Sequence, residues 1–390
     1  MNSIVDEKYS IIWVFYLFSF LLFLSGTSIS QEVLWSTPGV GERPNLSLQG
    51  TKQSEQRVVI SSPFGTEVKV AKLSDGSKIW TKKLVERVSY GTLPLTDALV
   101  VQGDQGTIWA IRGEDGEELW MKRTPEPLDY PMAPPRFREQ AVFTISHQGI
   151  IRKLIRTGEQ SAVVRRDVSW GERRAATVPL RSSQQQLSYL DQAGRLTTYD
   201  TEFLDLISTL SLTPDESRAN ILAGALSEDG NLAWTTDFSG RLVAVRPSSG
   251  EGLWAVRTGV QEDCWSGQGE LLTVPSLLFW EGEKIAVLVA NRVRASIYDG
   301  DTGKRLFTEA LPSDGVCPPI YDATEKRWWL LCRNHLVSYD RLKGWQEYPI
   351  SLVDEPFTLA IGDKAVLVGT VDGRVYRLGM PGVTPVAEKK

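Results

Sequence analysis

The stretch Asp115-Gly116-Glu117-Glu118-Leu119-Trp120 decides the fold of this chain. A polar residue and a glycine begin it, and a large aromatic follows four places after the glycine. Glycine accepts the positive φ of a tight turn, and an aromatic ring that enters a core buries a large area. The stretch therefore predicts a hairpin turn followed by a strand whose ring docks into a core.

Related stretches recur along the chain, at Asp75–Trp80, Ser249–Trp254 and Thr302–Phe307. With weaker copies included, the docking position falls at residues 35, 80, 120, 162, 206, 254, 307 and 348, a period of about 45 residues that is typical of repeat folds. The predicted docking residues with aromatic rings are Trp35, Trp80, Trp120, Trp254, Phe307 and Tyr348.

Each repeat also contains short alternating strands before its glycine turn, so one unit has room for four strands. Four short strands every 40–50 residues indicate a propeller blade. We therefore predict an all-β, eight-bladed β-propeller of four-stranded antiparallel blades over residues 31–380. The first unit lacks its inner strands and the last lacks its outer strand. The segment 31–36 is thus expected to complete the last blade and remove an open sheet edge.

The N-terminus predicts export. The apolar run Ile11–Leu24 is short for a membrane span, and the small residues Ser28 and Ser30 stand where signal peptidase requires them. We predict a signal peptide over residues 1–30 and a periplasmic or extracellular protein. The alternative is an uncleaved signal anchor, favoured by the acidic residues near the start, which would keep the chain on a membrane. Residues 381–390 are expected to form a C-terminal tail.

Composition disfavours several functional classes. The net charge of −5 argues against a nucleic-acid partner, which would require a strong basic excess. Only His147 and His335 occur, and neither lies in a catalytic or metal-binding motif. The sequence predicts no catalytic, cofactor-binding or metal-binding residue, no cofactor and no enzyme activity. A monomer that binds a protein partner through its inter-blade loops is expected.

The chain has three cysteines, an odd count for an exported protein. A hairpin that pairs residue 322 with residue 327 also places Cys317 opposite Cys332. A cross-strand disulfide between them is one expectation, and two buried free thiols are the other. Cys264 is left unpaired in either case.

Two stretches carry a family resemblance. Asp299–Phe307 and Thr107–Trp120 resemble the A-x-D-x-x-T-G-x-x-x-W motif of pyrroloquinoline-quinone-type (PQQ-like) propeller repeats, and the resemblance covers nearly all of residues 31–380. One branch of that superfamily holds the quinone and Ca²⁺ in a central funnel, beside a disulfide between adjacent cysteines. The other branch comprises cofactor-free, BamB-like scaffolds.

The chain has no adjacent cysteine pair and no recognisable calcium ligand set, so it is most similar to the BamB-like branch. That resemblance implies an exported, non-catalytic scaffold for protein–protein interactions in cell-envelope or outer-membrane protein assembly. The lipidated cysteine that anchors BamB proteins has no counterpart after the apolar run. The alternative function is a quinoprotein-type dehydrogenase or a small-ligand binder that uses the central funnel.

Overall fold

The computed structural model describes residues 31–379 apart from 51–55, 124–134, 139–140, 147–149, 156, 166–177, 184–185, 191–194, 212–220, 228–230, 238–240, 248, 250, 258–275, 281–283, 291–292, 318, 323 and 363–364. The predicted signal peptide, the C-terminal tail, His147 and Cys264 lie outside these residues. Within them, the chain forms strands and turns but no helix, and so no helix that could cross a membrane.

The described strands form eight four-stranded antiparallel sheets, numbered here as units 1 to 8 in chain order. Unit 1 contains β2 (Asn45–Gln49), β3 (Arg57–Ser61), β4 (Glu67–Lys72) and β5 (Lys78–Lys83). Unit 2 contains β6 (Val88–Pro94), β7 (Ala98–Gly103), β8 (Ile108–Arg112) and β9 (Glu118–Lys122). Unit 3 contains β10 (Arg136–Arg138), β11 (Ala141–Ile145), β12 (Ile150–Ile155) and β13 (Gln160–Arg165).

Units 4 to 6 repeat this order. Unit 4 contains β14 (Val178–Ser183), β15 (Gln186–Leu190), β16 (Arg195–Asp200) and β17 (Leu206–Ser211). Unit 5 contains β18 (Ile221–Leu226), β19 (Ala233–Asp237), β20 (Arg241–Arg246) and β21 (Glu251–Arg257). Unit 6 contains β22 (Ser276–Trp280), β23 (Lys284–Ala290), β24 (Arg294–Asp299) and β25 (Arg305–Ala310).

The last two units close the ring. Unit 7 contains β26 (Ile320–Asp322), β27 (Arg327–Leu331), β28 (His335–Asp340) and β29 (Gly344–Pro349). Unit 8 contains β30 (Pro356–Gly362), β31 (Ala365–Thr370) and β32 (Arg374–Leu378), and its outer strand is β1 (Val33–Pro38), from the start of the described chain.

Pairing of β1 with β32 is antiparallel, from Val33 opposite Leu378 to Pro38 opposite Arg374. The amide of Gly379 also donates a 3.0 Å hydrogen bond to the carbonyl of Glu32. The outer strand of unit 8 thus comes from the other end of the chain, as the missing strands of the first and last repeats indicate. The predicted all-β propeller is confirmed.

Hydrophobic cores lie between neighbouring units. The second and third strands are buried on both faces, so their alternate residues face different neighbours. In unit 2, Ile108 packs with unit 3, whereas Trp109 and Ile111 pack with unit 1. Eight such cores join each unit to the next, and the eighth joins unit 8 to unit 1 through Val375 and Val58 among others. The disc is therefore a closed ring.

Candidate functional site

The docking tryptophans contact the unit that follows their own strand in the ring. A Cβ placed on Gly116 would lie 2.8 Å from Cδ2 of Trp80, and one on Gly76 would lie 2.7 Å from Cε3 of Trp35. Both glycines have positive φ, 80° and 71°. Each indole therefore fills a space that only glycine leaves open, over a turn whose backbone also favours glycine.

The same contact between an indole ring and a glycine turn recurs between other units at the rim. Trp120 lies against Gly158, and Trp254 lies against Gly303. The indole nitrogens of three of these tryptophans donate to a carbonyl three residues before the contacted glycine. The bonds are Trp35 Nε1 to Leu73 O at 2.9 Å, Trp80 Nε1 to Gly113 O at 3.0 Å and Trp254 Nε1 to Gly300 O at 3.0 Å. The motif that opened the sequence therefore joins neighbouring units.

Two predicted docking residues behave differently. Phe307 packs on Tyr339 and Trp345, with ring centroids 4.9 and 6.0 Å away, and a Cβ on Gly344 would meet nothing within 4 Å. Tyr348 lies 6.2 Å from Trp329 in its own unit. By register the docking position of unit 7 belongs to Gln346, because Gln346 pairs with Ser338 as Phe307 pairs with Ile297 in unit 6. Tyr348 pairs with Leu336 and lies two places further along the strand, so its assignment as the docking residue was wrong.

The docking position assigned to residue 206 was wrong by register. Thr198 pairs with Ser208 in unit 4, as Ala110 pairs with Trp120 in unit 2. Ser208 therefore occupies the docking position, and its hydroxyl lies 3.4 Å from the carbonyl of Pro247 in unit 5. Because Ser208 replaces an indole, the rim between units 4 and 5 lacks the large aromatic contact among the residues that the structure describes.

The disulfide considered for Cys317 and Cys332 is not formed, since both thiols are free and buried. The predicted register holds from Asp322 opposite Arg327 to Ile320 opposite Trp329. Beyond it, Cys332 pairs with Gly315 in an isolated β-bridge, not with Cys317. Prolines at 318 and 319 have no amide hydrogen with which to continue the ladder. Cys317 packs in the core between units 7 and 8, and Cys332 in the core between units 6 and 7.

Burial also makes the two thiols poor nucleophiles. It raises the pKa of both Cys317 and Cys332 to about 12. A thiol that stays protonated at neutral pH does not react as a thiolate. These two cysteines therefore act as small apolar core residues.

Acidic turn residues hold the hairpins. Asp75 accepts a hydrogen bond from the amide of Ser77, and Asp115 accepts one from the amide of Glu117. Bonds from the Ser77 side chain and amide lower the pKa of Asp75, and the Glu117 amide does the same for Asp115. In unit 6 the accepting carboxylate belongs to Asp299, which also binds the hydroxyl of Thr302. These carboxylates therefore stabilise the hairpin turns.

Little in the described part of the chain suggests chemistry. His335 Nδ1 lies 2.9 Å from Oδ1 of its neighbour Asn334, at a turn between two strands. Within the described ranges, no group of three or more His, Cys, Asp or Glu side chains could hold a metal ion. Residues from distant parts of the chain come together instead on one surface of the protein.

One face of the disc brings distant loops together. Because neighbouring strands run antiparallel, the connections between units emerge on the same face as the turns between second and third strands. Arg43, in the connection from unit 8 to unit 1, lies between two rings on this face. Its guanidinium carbon is 5.9 Å from the ring centroid of Phe64 and 5.6 Å from that of Phe357. We call this side of the disc the Arg43 face.

The backbone holds Arg43 in place. Its φ is 49°, an uncommon value for a residue with a side chain, and its amide donates a 3.0 Å hydrogen bond to the carbonyl of Val371. A guanidinium placed over aromatic rings gains a cation–π interaction. The stack is thus a fixed feature that combines a positive charge with an exposed ring, since Phe64 is exposed.

Exposed apolar residues and ion pairs flank this stack. Val85, between units 1 and 2, is 82% exposed, and Val353, between units 7 and 8, is 89% exposed. Arg333 Nη2 lies 3.4 Å from Glu355 and 3.8 Å from Asp314, all on the same face. Exposed pairs of this kind stabilise the fold little, so these charges remain available to a partner.

Sequence reasoning missed the Arg43 face. Arg43 and Phe357 are far apart in the sequence and meet only because the ring closes between unit 8 and unit 1. An exposed arginine or valine in a loop also carries no periodic signal. The one available clue was the predicted closure by segment 31–36, which brings the connection after it beside the last unit.

A family model described as the outer membrane protein assembly factor BamB matches residues 31–136 and 65–262. These matches together span more than half of the chain. No significant match is found among curated proteins.

Solved structures share the fold at low sequence identity. The computationally designed Ika8 protein is 16% identical, with a TM-score of 0.67 over 89% of this chain and 99% of that chain. BamB from Moraxella catarrhalis is 12% identical, with a TM-score of 0.63 over 90% and 99%. Sqt1 from Saccharomyces cerevisiae is 8% identical, with a TM-score of 0.68 over 91% and 100%.

Proposed function

Because this chain belongs to the family of the outer membrane protein assembly factor BamB, we propose that it is an exported, non-catalytic scaffold in outer-membrane or cell-envelope protein assembly. The observation that carries the proposal is the Arg43 face. There, a stacked arginine and exposed Val85 and Val353 lie on loops held by a rigid ring. Arginine and aromatic residues with apolar neighbours are enriched where proteins bind proteins.

A capture experiment tests the surface. The full chain is expressed with its own leader, purified and immobilised, and envelope extract of the source cells is passed over it at moderate salt. Val85→Asp with Val353→Asp adds charge to the Arg43 face. Leu342→Asp is the matched control, because Leu342 is 96% exposed in a turn on the opposite face.

We expect the wild type and Leu342→Asp to retain the same partner band and the doubly substituted chain to lose it. Capture of no protein by the wild type would contradict the scaffold function. Equal capture by all three chains would place the contact away from the Arg43 face.

The enzyme alternative has its own test. Titration of the purified protein with pyrroloquinoline quinone and Ca²⁺ should give no stoichiometric shift in the quinone absorbance. A saturating shift at one equivalent would contradict the cofactor-free proposal and favour a site in the central funnel.

Export is tested through the chain itself. The mass of the protein recovered from the envelope should correspond to a mature start at Gln31. A full-length mass in the membrane fraction would indicate the uncleaved signal anchor instead.

A further inference from the structure

The outer strand of unit 4 differs from the other outer strands. The fourth strand of every unit is a sheet edge, and natural edges commonly carry charged residues that discourage pairing with another chain. Six of the eight outer strands contain at least one charged residue: KIWTKK in β5, ELWMK in β9, QSAVVR in β13, EGLWAVR in β21, RLFTEA in β25 and GWQEYP in β29. Only β1 (VLWSTP) and β17 (LISTLS) contain none.

The strand register shows which position is charged on other outer strands but apolar on β17. Leu206 pairs with Tyr199, just as Glu118 pairs with Ile111 in unit 2. The residue at the same place is Lys78 in unit 1 and Arg305 in unit 6. Unit 4 therefore has an apolar residue where three other units have a charge. Two places further on, Ser208 replaces the docking indole.

The apolar residues of this edge are open to solvent. Leu206 is 59% exposed, Ile207 is 49% exposed, and Phe203 in the preceding turn is 68% exposed. In the described part of the chain, β17 pairs with β16 on one side and with no strand on the other. The edge thus combines open backbone groups with an uncharged, apolar margin.

The second uncharged outer strand, β1, is a poorer edge. It ends at Pro38, which has no amide hydrogen to donate, and Trp35 within it is already docked on Gly76. β17 contains no proline and no docked indole. It is therefore the outer strand best suited to accept another strand.

We propose that the outer edge of β17 binds an extended, uncharged strand of a partner protein, which adds to unit 4 as a fifth strand. The proposal rests on the proposed scaffold function and names a second contact for the partner. Backbone hydrogen bonds along the edge require an extended occupant. Leu206 and Ile207 favour apolar or β-branched side chains on it, and the absence of charge on β17 leaves nothing to pair a charged occupant.

A defined peptide tests the edge directly. The probe is an acetylated, amidated and fluorescently labelled Thr-Val repeat of about eight residues, longer than a typical strand. The control peptide is N-methylated at alternate residues along one edge, so it keeps its side chains but loses those amide hydrogens. We expect saturable binding in fluorescence anisotropy that is at least about tenfold weaker for the control peptide, or about 1.4 kcal/mol.

Variants locate the binding edge. Leu206→Lys and Ile207→Lys, which give β17 the kind of charge found on other outer strands, should each weaken probe binding about tenfold, a loss of about 1.4 kcal/mol. Leu306→Lys is the matched control, because Leu306 is 41% exposed on the outer strand of unit 6. It should leave probe binding unchanged. Thermal unfolding of all three variants should match the wild type, since the substituted side chains are exposed.

Three results would overturn the proposal. They are equal binding of the N-methylated peptide, an equal loss with Leu306→Lys, and a concentration-dependent dimer that Leu206→Lys abolishes. The dimer would identify a second copy of this chain as the occupant. The scaffold function fails separately, in the capture experiment on the Arg43 face. If the peptide does not bind but the capture experiment still retains the partner protein, only the proposal for the β17 edge is contradicted.

Discussion

Trp80 donates from its indole nitrogen to the carbonyl of Gly113, 3.0 Å away in the next unit. Its ring also lies over Gly116 of that unit. One side chain thus makes a hydrogen bond and a ring contact across the same boundary. Substitutions at position 80 separate these two contributions.

Replacing Trp80 should destabilise the disc in two steps. Trp80→Phe keeps a ring but removes the donor to Gly113, and we expect a loss of about 1 kcal/mol in the free energy of unfolding. Trp80→Ala also leaves a cavity in a buried position, with an expected loss of about 3–5 kcal/mol. Denaturant unfolding measures both values. An Ala variant no worse than the Phe variant would show that the ring contact contributes nothing.

The glycine beneath a docked ring should tolerate no side chain. Gly116→Ala meets both a positive φ of 80° and the Trp80 ring, 2.8 Å from the new Cβ. Gly344→Ala meets a similar φ of 72° but no atom within 4 Å. We expect Gly344→Ala to lose about 1–2 kcal/mol from backbone strain alone and Gly116→Ala to lose clearly more. Equal losses in denaturant unfolding would contradict the steric role of the indole.

The two buried cysteines should stay unreactive in the folded protein. In a Cys264→Ser background, a thiol reagent at neutral pH should label neither Cys317 nor Cys332, and both should react after unfolding in denaturant. Peptide mass spectrometry reads the labelled positions. Rapid labelling of the native protein would show that the cores on either side of unit 7 open readily.

The same thiols should make stability depend on alkaline pH. Burial raises each pKa from 9.0 to about 12, so the unfolded chain loses its thiol protons first. The contribution of the two protonated thiols to stability is fully present below pH 9. Between pH 9 and 12 the free energy of unfolding decreases by up to about 1.4 kcal/mol per pH unit for each thiol. Cys317→Ala with Cys332→Ala should flatten the decline relative to the wild type. Parallel curves would show that neither thiol titrates this way.

Joining the chain ends should preserve the fold. Gly379 and Glu32 already share a hydrogen bond, so a short Gly/Ser linker from Gly379 to Gln31, with new ends beside the exposed Leu342, keeps every strand pair. We expect circular dichroism and unfolding close to the wild type. Deleting residues 31–38 instead should expose β32 and cause aggregation. A soluble monomer after that deletion would show that β1 is dispensable.

The sequence predicted the features that recur in each unit, but it did not predict the contacts that one unit makes with the next. Glycine turns and aromatic positions recur with a regular period, so the propeller and the place of Trp80 within its unit could be predicted. The partner of that indole could not, because a period places a residue within its unit and says nothing of the next unit. The docking position of unit 4 was assigned to residue 206 in error, because the residue that occupies it, Ser208, is not aromatic and so gives no recognisable signal in the sequence.

Other differences have local causes. The hairpin register near Cys332 was predicted correctly between residues 320 and 329, but the two prolines beyond it shift the pairing that a disulfide requires. Arg43 and its two rings were out of reach for another reason. Phe64 follows Arg43 closely in the sequence, but Phe357 comes from the other end of the chain and meets Arg43 only through ring closure.

The exchange of β1 into unit 8 also determines when the disc can be completed. Among the described strands, β1 is made first, yet its partner β32 is made last. A growing chain can therefore form units 1 to 7 in order, but β1 stays unpaired until synthesis has passed Leu378. Pairing of this large sequence separation is slow because the loop must close before any contact forms. We therefore expect completion of unit 8 to be a late folding step, and until then β32 has an open edge that can pair with another chain.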